Sequence, residues 1–372
     1  MANNITKKTH SNDSVHEPLF HVVKRASIPF WQAMSIRVGA VVIAFLLCTL
    51  LSSLMIGKTP MQFVSTFFDG VFGSPRRLWN LAKDGAKLLC ISLAVTPAFR
   101  MRFWNIGAEG QTLMGALGAV AVVFYLGGKI SEPLLLVLMF IAAILIGAVW
   151  GGVPAIFKAK WQTNETLFTL MMNYVAIGLV EFFLKIWVTS GSGTLGKLQH
   201  GYLPTVGHKY FLIILCTLIL TAIVYIYLNY TKQGYEISVV GESENTARYI
   251  GINVSKVIIR TMIVSGAICG LAGFLIVSGL DNTVNAETVG GLGFTAIMVS
   301  WLAKFNPAIM IGSSLLITSL QQGASSISDT FRIDSSFPNM VVGIVLFIII
   351  GCEFFINYQL KFREPAKKGE KA

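Results

Sequence analysis

Ten runs of apolar residues divide this chain, most of them long enough to cross a lipid bilayer as a helix. They cover roughly residues 38–56, 84–99, 106–127, 133–157, 165–188, 209–230, 257–279, 290–303, 307–322 and 337–357. Inside hydrocarbon every backbone N–H and C=O must find its partner within the protein, which leaves helices as the solution for runs of this length. The sequence therefore predicts an all-α fold, a polytopic transmembrane helical bundle of about ten spans. The second and eighth runs are short for a full crossing and predict tilted, broken or re-entrant segments. Composition agrees: 54% of residues are hydrophobic and 13% charged, whereas soluble domains carry about 25% charge.

The charge that remains is strongly positive, at +11. Nucleic-acid binding is one reading of such a balance, but no RNA- or DNA-binding motif accompanies it. Basic residues in membrane proteins accumulate in cytoplasmic loops and near anionic lipid, which accounts for the excess. With an even number of spans and an inner N-terminus, both termini fall in the cytoplasm, and most Lys and Arg residues fall on the same side. About half of the exceptions, Lys58, Arg76, Arg77, Lys83 and Lys87, fall in one segment ahead of the second helix. An amphipathic outer helix near 60–80 accommodates them.

The expected organisation is a cytoplasmic N-terminal arm over 1–37, a transmembrane domain over 38–357 and a basic, lipid-facing cytoplasmic tail over 358–372. The arm is polar and carries no cleavage pattern of a secretory signal. Runs two to five and seven to ten leave room for two related halves, but the sequence similarity between them is too weak to establish a repeat. Cysteines 48, 90, 216, 269 and 352 sit apart within or beside apolar runs. Their spacing suits small packing residues, with no metal site and no disulfide framework.

A polar interruption, Thr231 to Lys256, separates the sixth and seventh runs. A simple return loop needs roughly 2–8 residues. This one is far longer, carries both signs of charge, and holds a short helical pattern across Gly241-Glu242-Ser-Glu-Asn-Thr-Ala247-Arg248-Tyr-Ile-Gly251-Ile252-Asn253. Such a segment can lie along the membrane and offer a surface to a soluble partner. The orientation above puts it in the cytoplasm.

Two further polar stretches interrupt the apolar pattern. In Phe99-Arg-Met-Arg-Phe-Trp-Asn105-Ile-Gly107-Ala-Glu109-Gly110-Gln111, the glycines permit close helix approach. Asn105 reads as an N-cap of the third helix, with Glu109 in its first turn. The stretch is either a capped helix start at the inner face or a gate near a translocation path, since polar groups at membrane depth face protein or water. In Asn164-Glu165-Thr-Leu-Phe-Thr169-Leu-Met-Met-Asn173-Tyr174, residues Thr166, Thr169 and Asn173 share one helical face. They bond a neighbouring helix or line a path. Arg332 and Asp334, in the last outer loop, are either contacts for a partner or simply solvated.

These stretches together carry a resemblance. The pattern G-x-x-x-x-x-V-G-E-x-x-x-x-A-R-Y-x-G-I-N from Gly234 resembles the cytoplasmic coupling segment of ABC importer permeases. F-R-x-x-x-x-N-I-G-A-E-G-Q over 99–111 and N-E-x-x-x-T-x-M-x-N-Y over 164–174 look like the simple-sugar and nucleoside branch of that family, which is related to ribose and branched-chain amino-acid permeases. The run from Gly291 to Pro307 adds to the likeness, which spans about 84–357. The chain departs from the pattern at Ser238-Val239-Val240-Gly241, where relatives commonly carry R-A-V-G, and at Thr246-Ala247, where they carry paired alanines.

The resemblance implies a transport subunit rather than an enzyme, in a bacterial cytoplasmic membrane, importing a nucleoside or simple sugar. It implies an ATP-binding partner subunit that holds ATP and magnesium, with no cofactor bound by this chain. A second, distinct permease and an extracytoplasmic solute-binding protein complete the implied assembly. Gly241, Glu242, Ala247, Arg248, Gly251 and Ile252 become candidates for ATPase coupling. Asn105, Gly107, Glu109, Gly110, Gln111, Asn164, Glu165, Thr169 and Asn173 become candidates for the path or gate.

An ion-driven secondary transporter is the alternative, and Glu109 is its one candidate carrier. A membrane enzyme lacks any catalytic constellation. Gly191-Ser-Gly-Thr-Leu-Gly-Lys197 imitates a phosphate loop but continues with Leu198 and follows no strand. His16 and His21 are too far apart, with Pro18 between them, to form a zinc pair on one helical face.

Overall fold

The computed structural model describes residues 20–24, 29–188 and 195–362. The histidine pair at 16 and 21 and the Gly191 side of the loop-like sequence lie outside the residues whose side chains are described, as does most of the arm and the tail beyond 362. The chain divides into two compact units, one of residues 1–54 with 343–372 and one of residues 55–342.

The first unit holds most of α1 (Phe30–Ile56) and α13 (Phe337–Asn357), and a short antiparallel ribbon of β1 (Phe20–Lys24) and β2 (Tyr358–Phe362). Arg37 Nε donates to Glu353 Oε1 at 2.6 Å, joining α1 to α13. Ala40 packs with Cys352 and Ile356 beside that ion pair. The ribbon is the one addition to an otherwise helical fold among the described residues.

The second unit begins with α2 (Pro60–Phe72) and α3 (Pro75–Arg100). α2 is the amphipathic helix expected near 60–80, and it buries Phe63, Phe67, Gly70 and Val71. Its partner is α12 (Pro307–Phe331): the ring of Phe63 lies 4.8 Å from that of Phe331. Proline at the first turn and a Ser74 side chain accepting from Arg77 N at 3.3 Å start α3 well before the apolar run at 84. Its polar first half thus absorbs most of the basic cluster ahead of the apolar run. Arg77 pairs with Asp69 at 2.7 Å, Lys83 with Asp84 at 3.1 Å, and Lys87 with Asp281 at 3.6 Å.

The helices α4 (Ala108–Leu126), α5 (Glu132–Trp161), α6 (Glu165–Trp187) and α7 (Phe211–Tyr230) follow. After the polar interruption, α10 (Val254–Leu275) runs on through a π-helical turn, Ile276–Asp281. Its contact with α5 is built on glycine. A Cβ on Gly147 would lie 2.7 Å from Gly270 Cα, and one on Gly151 would lie 3.0 Å from Gly266 Cα. Backbones meet directly there, as small-residue stripes allow in a membrane, where apolar burial offers little drive.

Among the described residues, six helices are long and apolar enough to cross a membrane: Ala108–Leu126, Glu132–Trp161, Glu165–Trp187, Phe211–Tyr230, Val254–Asp281 and Phe337–Phe354. Four other expected runs fare differently. α1 is 27 residues long, with Ser35–Leu50 its apolar stretch among the described residues, and α11 (Leu292–Leu302) is apolar but short. α3 and α12 are 26 and 25 residues long. The second was expected to end near 322, but small polar residues continue its helix through 331.

Candidate functional site

The polar stretch 99–111 is not a simple capped start. Gly107 stands at the N-cap of α4, and Asn105 lies two residues earlier. The expectation of Asn105 as N-cap is corrected in this way: its Oδ1 accepts from Gly107 N at 3.0 Å and from Gln111 Nε2 at 3.1 Å. Its Nδ2 faces Gln111 Oε1 and Ser265 Oγ, both at 3.3 Å. Asn105 and Gln111 are buried, so this network ties the start of α4 to α10.

α6 closes the other side. Asn173 Oδ1 accepts from Gly110 N at 2.8 Å, and its Nδ2 donates to Ile106 O at 2.9 Å. Thr169 Oγ1 accepts from Ile106 N at 3.1 Å. Gly107 and Gly110 make this possible, since a Cβ on Gly110 would lie 2.9 Å from Asn173 Cα. Asn164 caps α6 by accepting from Leu167 N at 3.1 Å, and Glu165 pairs with Lys158 at 2.9 Å.

Glu109 does something else. Its two carboxylate oxygens accept from Gly291 N and Gly293 N, each at 2.8 Å. Those amides open α11, where a carboxylate also meets the positive end of the helix dipole. Gly291 has φ +79°, and a Cβ on Gly293 would lie 2.5 Å from Glu109 N. The run Gly290-Gly291-Leu-Gly293 was the sequence signal for this junction, and its glycines were not among the predicted site residues. Two helix starts thus meet head to head through one side chain.

Beside this junction is a cavity of about 480 Å³. Glu109, Asn173, Tyr174, Glu287 and Phe294 supply its chemistry. Of the predicted path residues, Glu109 and Asn173 border it; Asn105, Gln111 and Thr169 are committed to bonds between helices, and Asn164 and Glu165 stand at the α6 start. Tyr174, Glu287 and Phe294 were not anticipated as lining.

The polar interruption folds as two short helices, α8 (Lys232–Glu242) and α9 (Glu244–Tyr249). Thr231 caps the first by accepting from Gly234 N at 3.1 Å, and Ser243 caps the second by accepting from Thr246 N at 3.2 Å. Glu236 pairs with Arg260 at 2.9 Å, which fixes α8 to α10. Gly241 is buried, and a Cβ there would collide with the Arg100 carbonyl oxygen. Val240 and Glu244 share a small cleft with Met101, Arg102, Phe103, Lys158 and Glu165. α8 and α9 therefore press on the residues leading to Asn105 and Glu109.

The other side of this segment is open. Ala247 is fully buried, whereas Glu242, Arg248 and Ile250 are exposed and Tyr249 is 91% exposed. Arg248 pairs with Glu244 at 3.2 Å. Ile252 N donates to Ala247 O at 2.9 Å and Gly251 takes φ +86°, ending α9 in a tight turn. In the 332–336 loop, Asp334 Oδ1 accepts from Ser336 N at 2.8 Å. Hydrogen bonds from the Ser336 hydroxyl and amide hold the Asp334 carboxyl below its ordinary range. Among the described residues no cluster of three or more His, Cys, Asp or Glu is arranged to hold a metal.

A multi-pass helical membrane protein with broken helices around a polar cavity, and a helical segment outside the spans, is the class these features define. The family model for the permease component of the branched-chain amino acid transport system matches residues 77–350. The guanosine ABC transporter permease NupP of Bacillus subtilis is 30% identical over 77% of this chain and 83% of its own length. The glucose ABC transporter permease TsgB13 of Haloferax volcanii is 27% identical over 90% of this chain and 92% of its own. The nucleoside ABC transporter permease NupB of Lactococcus lactis is 27% identical over 90% and 96%. This chain belongs to that family, as an ABC transporter permease of the simple-sugar and nucleoside type.

Proposed function

We propose that this chain is the membrane-spanning subunit of an importer that moves a nucleoside or related simple sugar across a bacterial cytoplasmic membrane. A partner ATP-binding subunit supplies the energy by hydrolysing ATP with magnesium, and this chain binds neither. A second permease, distinct in sequence, and an extracytoplasmic solute-binding protein complete the assembly. In this reading the chain crosses the membrane about ten times, with both termini and the α8–α9 segment in the cytoplasm. The arm 1–37 and the basic tail 358–372 are then cytoplasmic.

One observation carries the reading: the packing of Gly241 on the Arg100 carbonyl. Closure of the ATPase pushes the exposed Glu242–Ile250 face. Gly241, Ala247, Gly251 and Ile252 form the rigid underside that transmits the push, while Glu242 and Arg248 meet the partner. The push reaches 100–103 and passes by Asn105, Gln111 and Ser265 to the junction of Glu109 with Gly291 and Gly293. Moving that junction changes the cavity of about 480 Å³, in which Glu109, Asn173, Tyr174, Glu287 and Phe294 surround the solute. Gly107, Gly110, Thr169, Asn164 and Glu165 hold α6 in place as one wall of the gate. This is switching between two discrete packings.

The ion-driven alternative asks Glu109 to exchange protons with solvent. Both of its oxygens are engaged by backbone amides, which suits a fixed carboxylate better than a carrier. Uptake of labelled guanosine and of glucose by cells bearing the transporter tests the choice. The proposal expects uptake of at least one to stop when ATP is depleted and to survive collapse of the proton gradient. The opposite pattern overturns it.

A further inference from the structure

A second polar cavity, of about 320 Å³, lies between α3 and α12. The transport reading above makes no use of it. Asn80, Asp84 and Lys87 approach it from α3, spaced four and three residues apart. Thr318, Gln321, Gln322 and Ser325 approach from α12, spaced three, one and three. Each set occupies one helical face, so two polar stripes look at one another across the space. Two helices that merely packed here would leave such groups underused, at a cost for every polar atom kept from a partner.

The charges in this cleft are already matched. Asp84 pairs with Lys83 at 3.1 Å; Lys87 lies 3.6 Å from Asp281 and donates to Thr288 O at 3.1 Å. What the cleft offers are amides and hydroxyls. Gln322 is held in a fixed orientation, because its Nε2 donates to Gly70 O at 3.1 Å and to Arg77 O at 3.0 Å. Its Oε1 is buried and accepts no hydrogen bond. Through its two donated bonds Gln322 braces the wall of the cleft, tying α12 to α2 and α3.

We propose that the α3–α12 cleft is a binding site for a neutral, hydroxyl-rich solute of monosaccharide size. Hydroxyl groups both donate and accept, which matches a wall of mixed amides and hydroxyls. Asn80, Gln321 and Ser325 supply the groups that bond the solute hydroxyls. An anion or cation finds no unmatched charge here, and no aromatic ring lines the space to stack a base. The site also touches the transport machinery. Leu292 lines it, while Gly290, Gly291 and Phe294 line the cavity beside Glu109. Lys87, bonded to Thr288 O, bridges from this cleft to the loop that separates the two. A solute held here therefore waits one loop away from the Glu109 cavity.

The test uses the full chain in lipid nanodiscs with Gln321→Cys or Ser325→Cys, modified by a small water-soluble methanethiosulfonate. The unsubstituted chain, with its own five cysteines, sets the background. Modification rates are measured with D-ribose, with uridine, and with betaine at equal concentration. Saturating D-ribose is expected to slow modification of both cysteines at least fivefold, and betaine to leave the rates unchanged. Adding Asn80→Leu is expected to raise the D-ribose concentration needed for protection about fivefold, the worth of one hydrogen bond. Protection by uridine as well places the sugar of a nucleoside in the cleft; protection by D-ribose alone shows that a base does not fit. Equal rates with D-ribose and betaine overturn the site, as does a lack of modification in the absence of solute. The site rests on the permease reading only for its role, and the two fail separately: protection without ATP-driven uptake removes that role, and uptake without protection removes the site.

Discussion

Glu109 and Gly293 are joined by a hydrogen bond of 2.8 Å between a side-chain carboxylate at the start of one helix and the backbone amide opening another. The second oxygen of the same carboxylate takes the amide of Gly291 at 2.8 Å. A single side chain thus caps α11 and fixes where α4 begins.

Glu109→Ala strips both bonds and leaves two amides without an acceptor. A bond to a charged group is worth about 1.5–3 kcal/mol, so this variant is expected to lose about 3 kcal/mol of stability. Glu109→Gln keeps one good acceptor but turns an NH₂ towards an amide, and falls between alanine and the parent. Thermal unfolding of the purified chain in one detergent gives the ranking. Equal stability of all three would refute the capping role.

Asn105 should behave as part of a unit. Asn105→Ala leaves the Gln111 carboxamide buried without its partner, costing about 1–3 kcal/mol. The double variant with Gln111→Leu is expected to cost less than the sum of the singles, because both polar partners are then gone. The readout is a double-mutant cycle on unfolding midpoints, and strict additivity would contradict the network.

The glycine seam predicts a contrast between positions. Gly270→Val drives a side chain into the α5 backbone near Ala143, whereas a Cβ on Gly343 meets nothing within 4 Å. Overpacking typically costs about 1–3 kcal/mol and more against backbone. The first variant is expected to vanish from the monodisperse membrane fraction and the second to accumulate normally, as size-exclusion profiles will show.

Arg37 and Glu353, about a quarter exposed, form the tie between α1 and α13. Either Arg37→Met or Glu353→Gln is expected to cost about 1 kcal/mol, a modest figure because solvent screens a half-open pair. Exchanging the two residues should recover part of the loss. Unfolding midpoints that ignore all three changes would show that the pair contributes nothing.

The helical architecture was legible because apolar runs of bilayer length admit few other folds, and the boundaries of α5 to α7 follow the hydropathy closely. Hydropathy failed where polar residues sit inside helices. Ser325, Ser326, Ser328 and Asp329 hid the end of α12, and Arg76 to Lys83 hid the start of α3. The ribbon between 20–24 and 358–362 pairs segments from opposite ends of the chain, which local patterning does not report. At the candidate site, the presence of polar groups between apolar runs was legible in the sequence. Which of them face the cavity was not, because Asn105, Thr169 and Gln111 share their spacing with Asn173 and Glu109 but spend their hydrogen bonds on neighbouring helices. The Gly290–Gly293 run carried a signal for a sharp turn, but its partner lies far away in sequence and no spacing rule connects them.

The central claim is that α8 and α9 receive force from an ATP-binding subunit. The direct measurement places a photoreactive amino acid at Tyr249, irradiates native membranes, and identifies the crosslinked product by mass spectrometry. The account predicts a crosslink to an ATP-binding cassette subunit, and Gly241→Val is expected to retain the chain in the membrane while abolishing ATP-driven uptake. A chain that crosslinks to no ATPase from this position, and that keeps normal uptake with Gly241→Val, would contradict the account.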